Sequence, residues 1–393
     1  MNTMALDGIR VLDLSRILAG PSAAQLLGDL GADVIKVEKP GEGDDTRKWG
    51  PPFVMGRDGK PTAESAYYLC ANRNKRSIEI DIASTDGQAL ILALLEKADI
   101  LIENYKVGGL KAYGLSYEQL KDRFPRLIYC SITGFGQTGP YAQRAGYDFM
   151  IQGMGGIMSV TGESNGEPMK VGVGIADVMT GMYATVGLLA ALRHRDQTGE
   201  GQHIDIALLD TQVSWLINAG TNYLVSKEIP PRYGNGHPNI VPYQVFATAD
   251  FPIIIAVGND SQFRKFCEQV GLDGIAEHPD YATNVARVKH RDALAQIISV
   301  GMRKQPRDHW ISVFEKVGVP CGPVNNLEQV FNDPQVQHRG AVVNLPHPEA
   351  ASGSVPVIAN PLKLSKTPVQ YRRAPPVRNQ HAAEILRDWL GRD

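Results

Sequence analysis

With 40 basic and 42 acidic side chains in 393 residues, the chain carries a formal charge of −2 at neutral pH. No global field of that size would draw it to nucleic acid or to an anionic membrane. The length allows two domains, and 43% hydrophobic with 21% charged residues is the balance of a globular protein in water.

The first residues, MNTMALDGIRVLDLS, show neither an apolar signal core nor a basic amphipathic leader. Cys70, Cys130, Cys267 and Cys321 are widely spaced, without a CxxC pair. They suit reduced thiols better than a disulfide or zinc framework, so the expected compartment is the cytoplasm. The least polar run, Val178 to Leu192, reads as too short and too interrupted by Gly and Thr to span a bilayer.

In chain order, Ile9 to Leu14 reads as a strand, followed by the turn Ser15 to Gly20. A helix then opens at Pro21-Ser22 and ends at Gly31, and a second strand runs from Asp33 to Val37. Strand, tight turn, helix, strand is the grammar of a parallel α/β sheet. The first turn lacks GxGxxG, which demotes a nicotinamide or flavin enzyme. Residues 39 to 66 form a long irregular segment rich in Gly, Pro and charge, of the kind that is often functional.

Arg73, Lys75 and Arg76 lead into a strand from Ser77 to Ile82; such a basic edge is either solvated or a phosphate site. A helix from Asp86 to Ala98 and a strand from Asp99 to Glu103 follow. That strand ends in Asn104-Tyr105-Lys106, where open α/β sheets place ligands. Ser116 to Arg123 reads as a helix and Arg126 to Thr133 as a strand, before a loop with four glycines that runs to Asp148.

From Lys170 to Arg193 the chain reads KVGVGIADVMTGMYATVGLLAALR, with Asp177 the single charge between Val171 and Leu192. Glycine spacing followed by an apolar run predicts a sharp turn into a buried helix. A carboxylate there is either a first-turn or capping group or a nucleophile held in a dry pocket. A strand over 202–206 and a helix over 208–219 follow. Composition shifts at Ser226 to Pro242, predicting a second domain over 226–334 with one strand (253–257) and helices near 260–271, 285–303 and 307–317. Residues 335–393 read as short strands and a closing helix over 380–390, returning to the first domain, 1–225.

The blocks LDLSRILAGP, LGADVIKVEKPGEGDDTRKWGPPFV, NRNKRSIEIDI, ENYKVGGL, YCSITGFGQTGP, RAGYD, IADVMTGMYA and VPYQVF resemble, in that order, the family III CoA-transferases. The resemblance implies a Rossmann-like α/β large domain built from both chain ends, a smaller α+β domain, and an interlocked homodimer. It implies Asp177 as nucleophile in the motif Asp177-Val178-Met179-Thr180-Gly181. By motif position it implies CoA contacts at Leu18, Ala19, Lys39, Ile80, Asp81, Ile82, Asn104, Tyr105, Lys106, Ala145, Gly146, Tyr147 and Asp148. An arginine that is frequent in the family is Ala112 here, with Lys111 or Lys106 as substitutes.

The same resemblance implies coenzyme A or an acyl-CoA as substrate and no tightly bound cofactor or metal. It points to succinyl-CoA as donor and a C4–C6 dicarboxylate as acceptor. Gly234, Gly236 and His237 match a loop that closes over the site; His237 is either an acceptor contact or a turn histidine. Backbone N–H groups near Gly136 or Gly234 are candidate oxyanion donors. Arg47, Arg73 and Arg144 are candidates for the acceptor's far carboxylate, or else structural ion-pair formers. Asp177 is expected to be ionised at neutral pH and to need no base. Two alternatives differ in class. One is an α-methylacyl-CoA racemase, disfavoured because Tyr147 replaces the proton-shuttling His. The other is a non-catalytic acyl-CoA-binding protein.

Overall fold

The computed structural model describes residues 4–392, which divide into two compact units. The first comprises residues up to Gly156, Val171–Trp215 and Pro334 onward; the second comprises Ile157–Lys170 and Leu216–Asp333. The second unit therefore includes a segment before Asp177 that composition assigned to the first domain.

In the first unit β1 (Arg10–Asp13) leads through a tight turn into α1 (Ala19–Asp29) and β2 (Asp33–Glu38). The segment expected to be irregular contains a 3-10 turn, Asp45–Lys48, and a hairpin of β3 (Phe53–Met55) and β4 (Pro61–Ser65). Next come β5 (Lys75–Glu79), α2 (Thr85–Leu95), β6 (Ile100–Glu103) and β7 (Ile128–Thr133). Then follow α3 (Asp148–Met154), α4 (Ile175–Thr198), β8 (His203–Ala207) and α5 (Leu208–Ser214).

The six parallel strands lie in the order β5-β2-β1-β6-β7-β8. Chain order thus reverses between β1 and β6, and the loops leaving those strands form the crevice where doubly wound sheets bind ligands. Alternation along the strands separates two cores. Val11, Val34, Ile100 and Ile128 face α1 and α4. Leu12, Ile35, Leu101 and Tyr129 face α2 and Ile385 and Trp389 near the C-terminus.

Helix α4 is 24 residues long, and by length and composition alone it could cross a membrane, contrary to the shorter run read from sequence. Half of its apolar stretch is buried within the chain, as in a core helix.

The second unit has an antiparallel sheet of β9 (Tyr243–Phe246), β10 (Ile253–Ala256) and β11 (Cys321–Pro323) in the order β11-β10-β9. Helices α6 (Asp260–Val270), α7 (Arg291–Met302) and α8 (Arg307–Val317) cover it. Phe266 stacks on Phe314, which stacks on Trp310. Arg287 is wholly buried, donating to the Val241 and Tyr281 carbonyls and to Asp260. Back in the first unit, β12 (Val342–Pro346) pairs with β13 (Ser354–Ile358), and α9 (Ala382–Leu390) closes on the sheet.

Candidate active site

The turn after β1 is held from several sides. Ile17 has φ +71°, a left-handed conformation that a β-branched residue rarely adopts. Its N–H faces the Asp44 carboxylate, and Lys36 Nζ donates to Asp44 at 2.7 Å and to the Ser15 carbonyl at 3.1 Å. Burial opposes ionisation of Asp44, but the Lys36 ammonium and the Thr46 hydrogen bonds hold its pKa at about 2. From the β6 loop, the Asn104 side chain accepts from Arg16 N–H at 2.9 Å and donates to Arg16 C=O at 2.7 Å. Two loops on either side of the strand-order reversal are thereby locked together, and they present Leu18, Ala19, Tyr105 and Lys106 to one cavity.

That cavity, about 170 Å³, also receives Ala145, Gly146, Tyr147 and Asp177. Gly146 crosses Gly134 so closely that a Cβ on Gly134 would lie 2.5 Å from the Gly146 Cα. Both positions therefore require glycine. A second cavity, about 230 Å³, is lined by Lys39, Ile80, Asp81, Ile82 and, again, Tyr105. The positions expected to contact CoA thus gather in two adjoining hollows, Asp148 excepted, which sits beside the first as a helix cap.

Asp177 lies in the first turn of α4, and the cap comes from elsewhere. Asp148 Oδ1 accepts from Ala176 N–H at 2.8 Å, while Asp148 Oδ2 accepts from Gln152 Nε2 at 2.8 Å. Gln152 Oε1 accepts from Val171 N–H at 2.8 Å, tying down the glycine-spaced run. Asp177 is thereby released from capping duty. Burial, then the charge of Asp148, pushes its pKa up to about 7. This corrects the expectation of a fully ionised carboxylate: a pKa of about 7 leaves a protonated fraction near neutrality. Tyr67, which sequence reasoning missed, lies within the field of this carboxylate. Burial and then Asp177 push its phenol up to about 12, and Trp49 meets its ring edge-on.

Other expected site residues have different surroundings. Arg47 is buried, donating to Glu38 at 2.8 Å and to Glu64 at 2.6 Å, and Arg73 is buried on Asp29. Both guanidiniums are committed to internal carboxylates rather than to the cavity. Arg144 lines the cavity, over the Phe135 and Tyr141 rings. The candidate oxyanion donors are already engaged: Gly136 N–H donates to Thr133 Oγ1 and Gly234 N–H to the Gly162 carbonyl. Gly234, Gly236 and His237 line a cavity of about 290 Å³ within the second unit. There His237 Nδ1 accepts from Asn239 N–H, which fixes the proton of the neutral ring on Nε2.

A model of CoA-transferase family III matches residues 6–382. The chain belongs to that family. This CoA-transferase is 52% identical over 382 residues to the succinate–glutarate CoA-transferase of Agrobacterium fabrum, covering 97% of this chain and 94% of the relative. It is 44% identical over 392 residues to the human succinyl-CoA:glutarate CoA-transferase, covering 100% of this chain and 87% of the relative. Among solved structures, a CaiB/BaiF family protein from Brucella suis superposes with a TM-score of 0.87 at 48% identity, covering 99% of this chain and all of that one. The CoA-transferase carries the same mixed α/β fold.

Proposed function

We propose that this CoA-transferase moves CoA from succinyl-CoA to glutarate or a similar C4–C6 dicarboxylate, with Asp177 as the covalent carrier. The observation that carries the reading is a first-turn carboxylate, relieved of capping by Asp148, that lines a cavity between the loops after β1 and β6. The names of the relatives supply the acids.

The ionised Asp177 attacks the thioester carbonyl of succinyl-CoA. The C–S bond breaks, leaving an aspartyl–succinyl anhydride and CoA thiolate. The thiolate attacks the aspartyl carbonyl, releasing succinate and forming an aspartyl thioester. Glutarate attacks that carbonyl and expels the thiolate, and the second anhydride then yields glutaryl-CoA and free Asp177. One thioester replaces another, so no phosphoanhydride is consumed. Confinement of the partners can contribute an effective molarity of roughly 10⁵ M, and burial slows hydrolysis of the anhydrides.

In this reading CoA lies along the two adjoining cavities, with its thioester end toward Asp177. The exposed apolar residues Met182, Tyr183 and Val186 on α4, and an apolar cavity of about 520 Å³ lined by Val54, Met55 and Ile358, support a homodimer of the interlocked kind. Four free thiols support a reducing, cytoplasmic setting. The test is an acceptor screen with succinyl-CoA, read by mass spectrometry. Glutarate and neighbouring dicarboxylates should accept CoA, and transfer to monocarboxylates alone would contradict the proposal.

A further inference from the structure

The two cavities are separate hollows, yet Arg16 lines both of them. Tyr105 is likewise shared, and the Arg16 guanidinium carbon lies 5.8 Å from the Tyr105 ring centroid. One hollow contains Asp177 and the other does not. A CoA thioester has three parts in sequence: an acyl-pantetheine arm, a diphosphate and an adenosine. If the thioester carbonyl meets Asp177, the diphosphate falls where the hollows adjoin.

The cations nearby are not equivalent. Lys36 is buried on Asp44 and the Ser15 carbonyl, and Lys39, in an exposed pair with Glu42, lines only the hollow without Asp177. Lys106 and Arg144 line only the hollow that holds Asp177. Arg16 pairs with Asp45 at 3.0 Å, but both side chains are about half exposed. An exposed pair of that kind is worth little and is readily exchanged. A diphosphate presents more charge and matches the planar fork of a guanidinium.

The backbone of this residue is overdetermined. Asn104 clamps its N–H and C=O, and the next residue, Ile17, is held in a left-handed conformation beside Asp44. Strain retained at one turn by so many partners calls for a role. We infer that Arg16 is the residue that grips the diphosphate of the acyl-CoA, exchanging Asp45 for it when the substrate enters. The inference rests on the CoA reading of the site and adds to it a residue absent from the motif-based contacts.

The experiment compares succinyl-CoA with succinyl-pantetheine, which lacks the diphosphate and adenosine, in the full-length enzyme and in Arg16→Gln and Arg16→Lys. In Arg16→Gln the KM for succinyl-CoA should rise about tenfold, the scale of a lost charge-assisted contact. The KM for succinyl-pantetheine should move far less, so the preference for CoA collapses. Arg16→Lys should fall between, because it keeps the charge and loses the fork. Equal losses with both thioesters would assign Arg16 a purely structural role and overturn the inference, as would an unchanged preference for CoA. A wild type that turns over neither thioester would overturn the CoA-transfer reading instead.

Discussion

Asp148 accepts the N–H of Ala176 at 2.8 Å, so the helix bearing Asp177 is capped by a residue 28 positions before Ala176. The same Asp148 places a second negative charge in the field of Asp177 and, after burial, contributes to its raised pKa. One neighbour thus both caps the helix that carries Asp177 and, behind burial, raises the pKa of that carboxylate.

Asp148→Asn separates these two effects, because an amide oxygen can still accept from Ala176 while the charge is gone. In the proposed mechanism only ionised Asp177 attacks, so wild-type kcat/KM should rise with pH through a midpoint near 7. The Tyr67 phenol in the same field is pushed up to about 12 and keeps its proton through that range. In Asp148→Asn the midpoint should move down by on the order of one pH unit. A pH–rate profile checks this, and an unmoved limb would show that Asp148 only caps.

The raised pKa of Asp177 also has a cost in stability. A carboxylate that is harder to ionise in the folded state than in the unfolded chain destabilises the fold as pH rises from about 4 through 7. Asp177→Asn should therefore be more stable than wild type at pH 8, by on the order of 1–2 kcal/mol after allowing for solvent screening of a half-buried group. The two proteins should converge near pH 4. Denaturant melts at both pH values measure the difference; a variant less stable at pH 8 would contradict the electrostatic account.

Arg47 bridges Glu38 and Glu64 in the interior, and burial, partly offset by Arg47, already pushes Glu64 up to about 7. Arg47→Ala leaves both carboxylates without their partner and should cost about 3–5 kcal/mol. The soluble fraction should retain the wild-type KM for glutarate. A large KM change at unchanged thermal stability would return Arg47 to the acceptor site.

The parallel sheet was legible because β1, β2, β6 and β7 are short apolar runs bounded by turn residues. The loop after β6 was legible as a ligand position because a polar and aromatic cluster follows a strand's carboxyl end, whereas the loop after β1 was implied only by the family resemblance. The strand-order reversal between them emerges from the fold. The distinction between a substrate-binding arginine and a buried one was not legible. It depends on which carboxylates the fold brings to Arg47 and Arg73, and Glu64 and Asp29 are remote from them in sequence. Helix α3 begins at Asp148, where the glycine-rich loop ends, and was not read from the sequence; the Asp148–Gln152 pair, one helical turn apart, was the available signal. The hairpin within residues 39–66 rests on pairing between β3 and β4, while the 3-10 turn before it is capped locally by the Asp44 side chain accepting from Thr46 N–H.

Gly181, which closes the motif begun by Asp177, is there for packing. A Cβ at this position would lie 2.7 Å from the Ala19 carbonyl oxygen and 3.1 Å from the Ser22 Cβ. Gly181→Ala should push α4 away from the start of α1, costing about 1–3 kcal/mol. Because Leu18 and Ala19 line the cavity with Asp177, kcat should fall as well. Thermal melts and steady-state kinetics check both effects, and an enzyme unchanged in either respect would show that the contact relaxes freely.

The central claim is a covalent bond from the Asp177 carboxylate to an acyl group or to CoA. Enzyme mixed with succinyl-CoA and quenched in hydroxylamine, then digested and sequenced by mass spectrometry, reads it directly. The account predicts a hydroxamate at Asp177 that depends on succinyl-CoA and is absent from Asp177→Asn. Turnover with Asp177 unmodified, or with the label on another carboxylate, would contradict it.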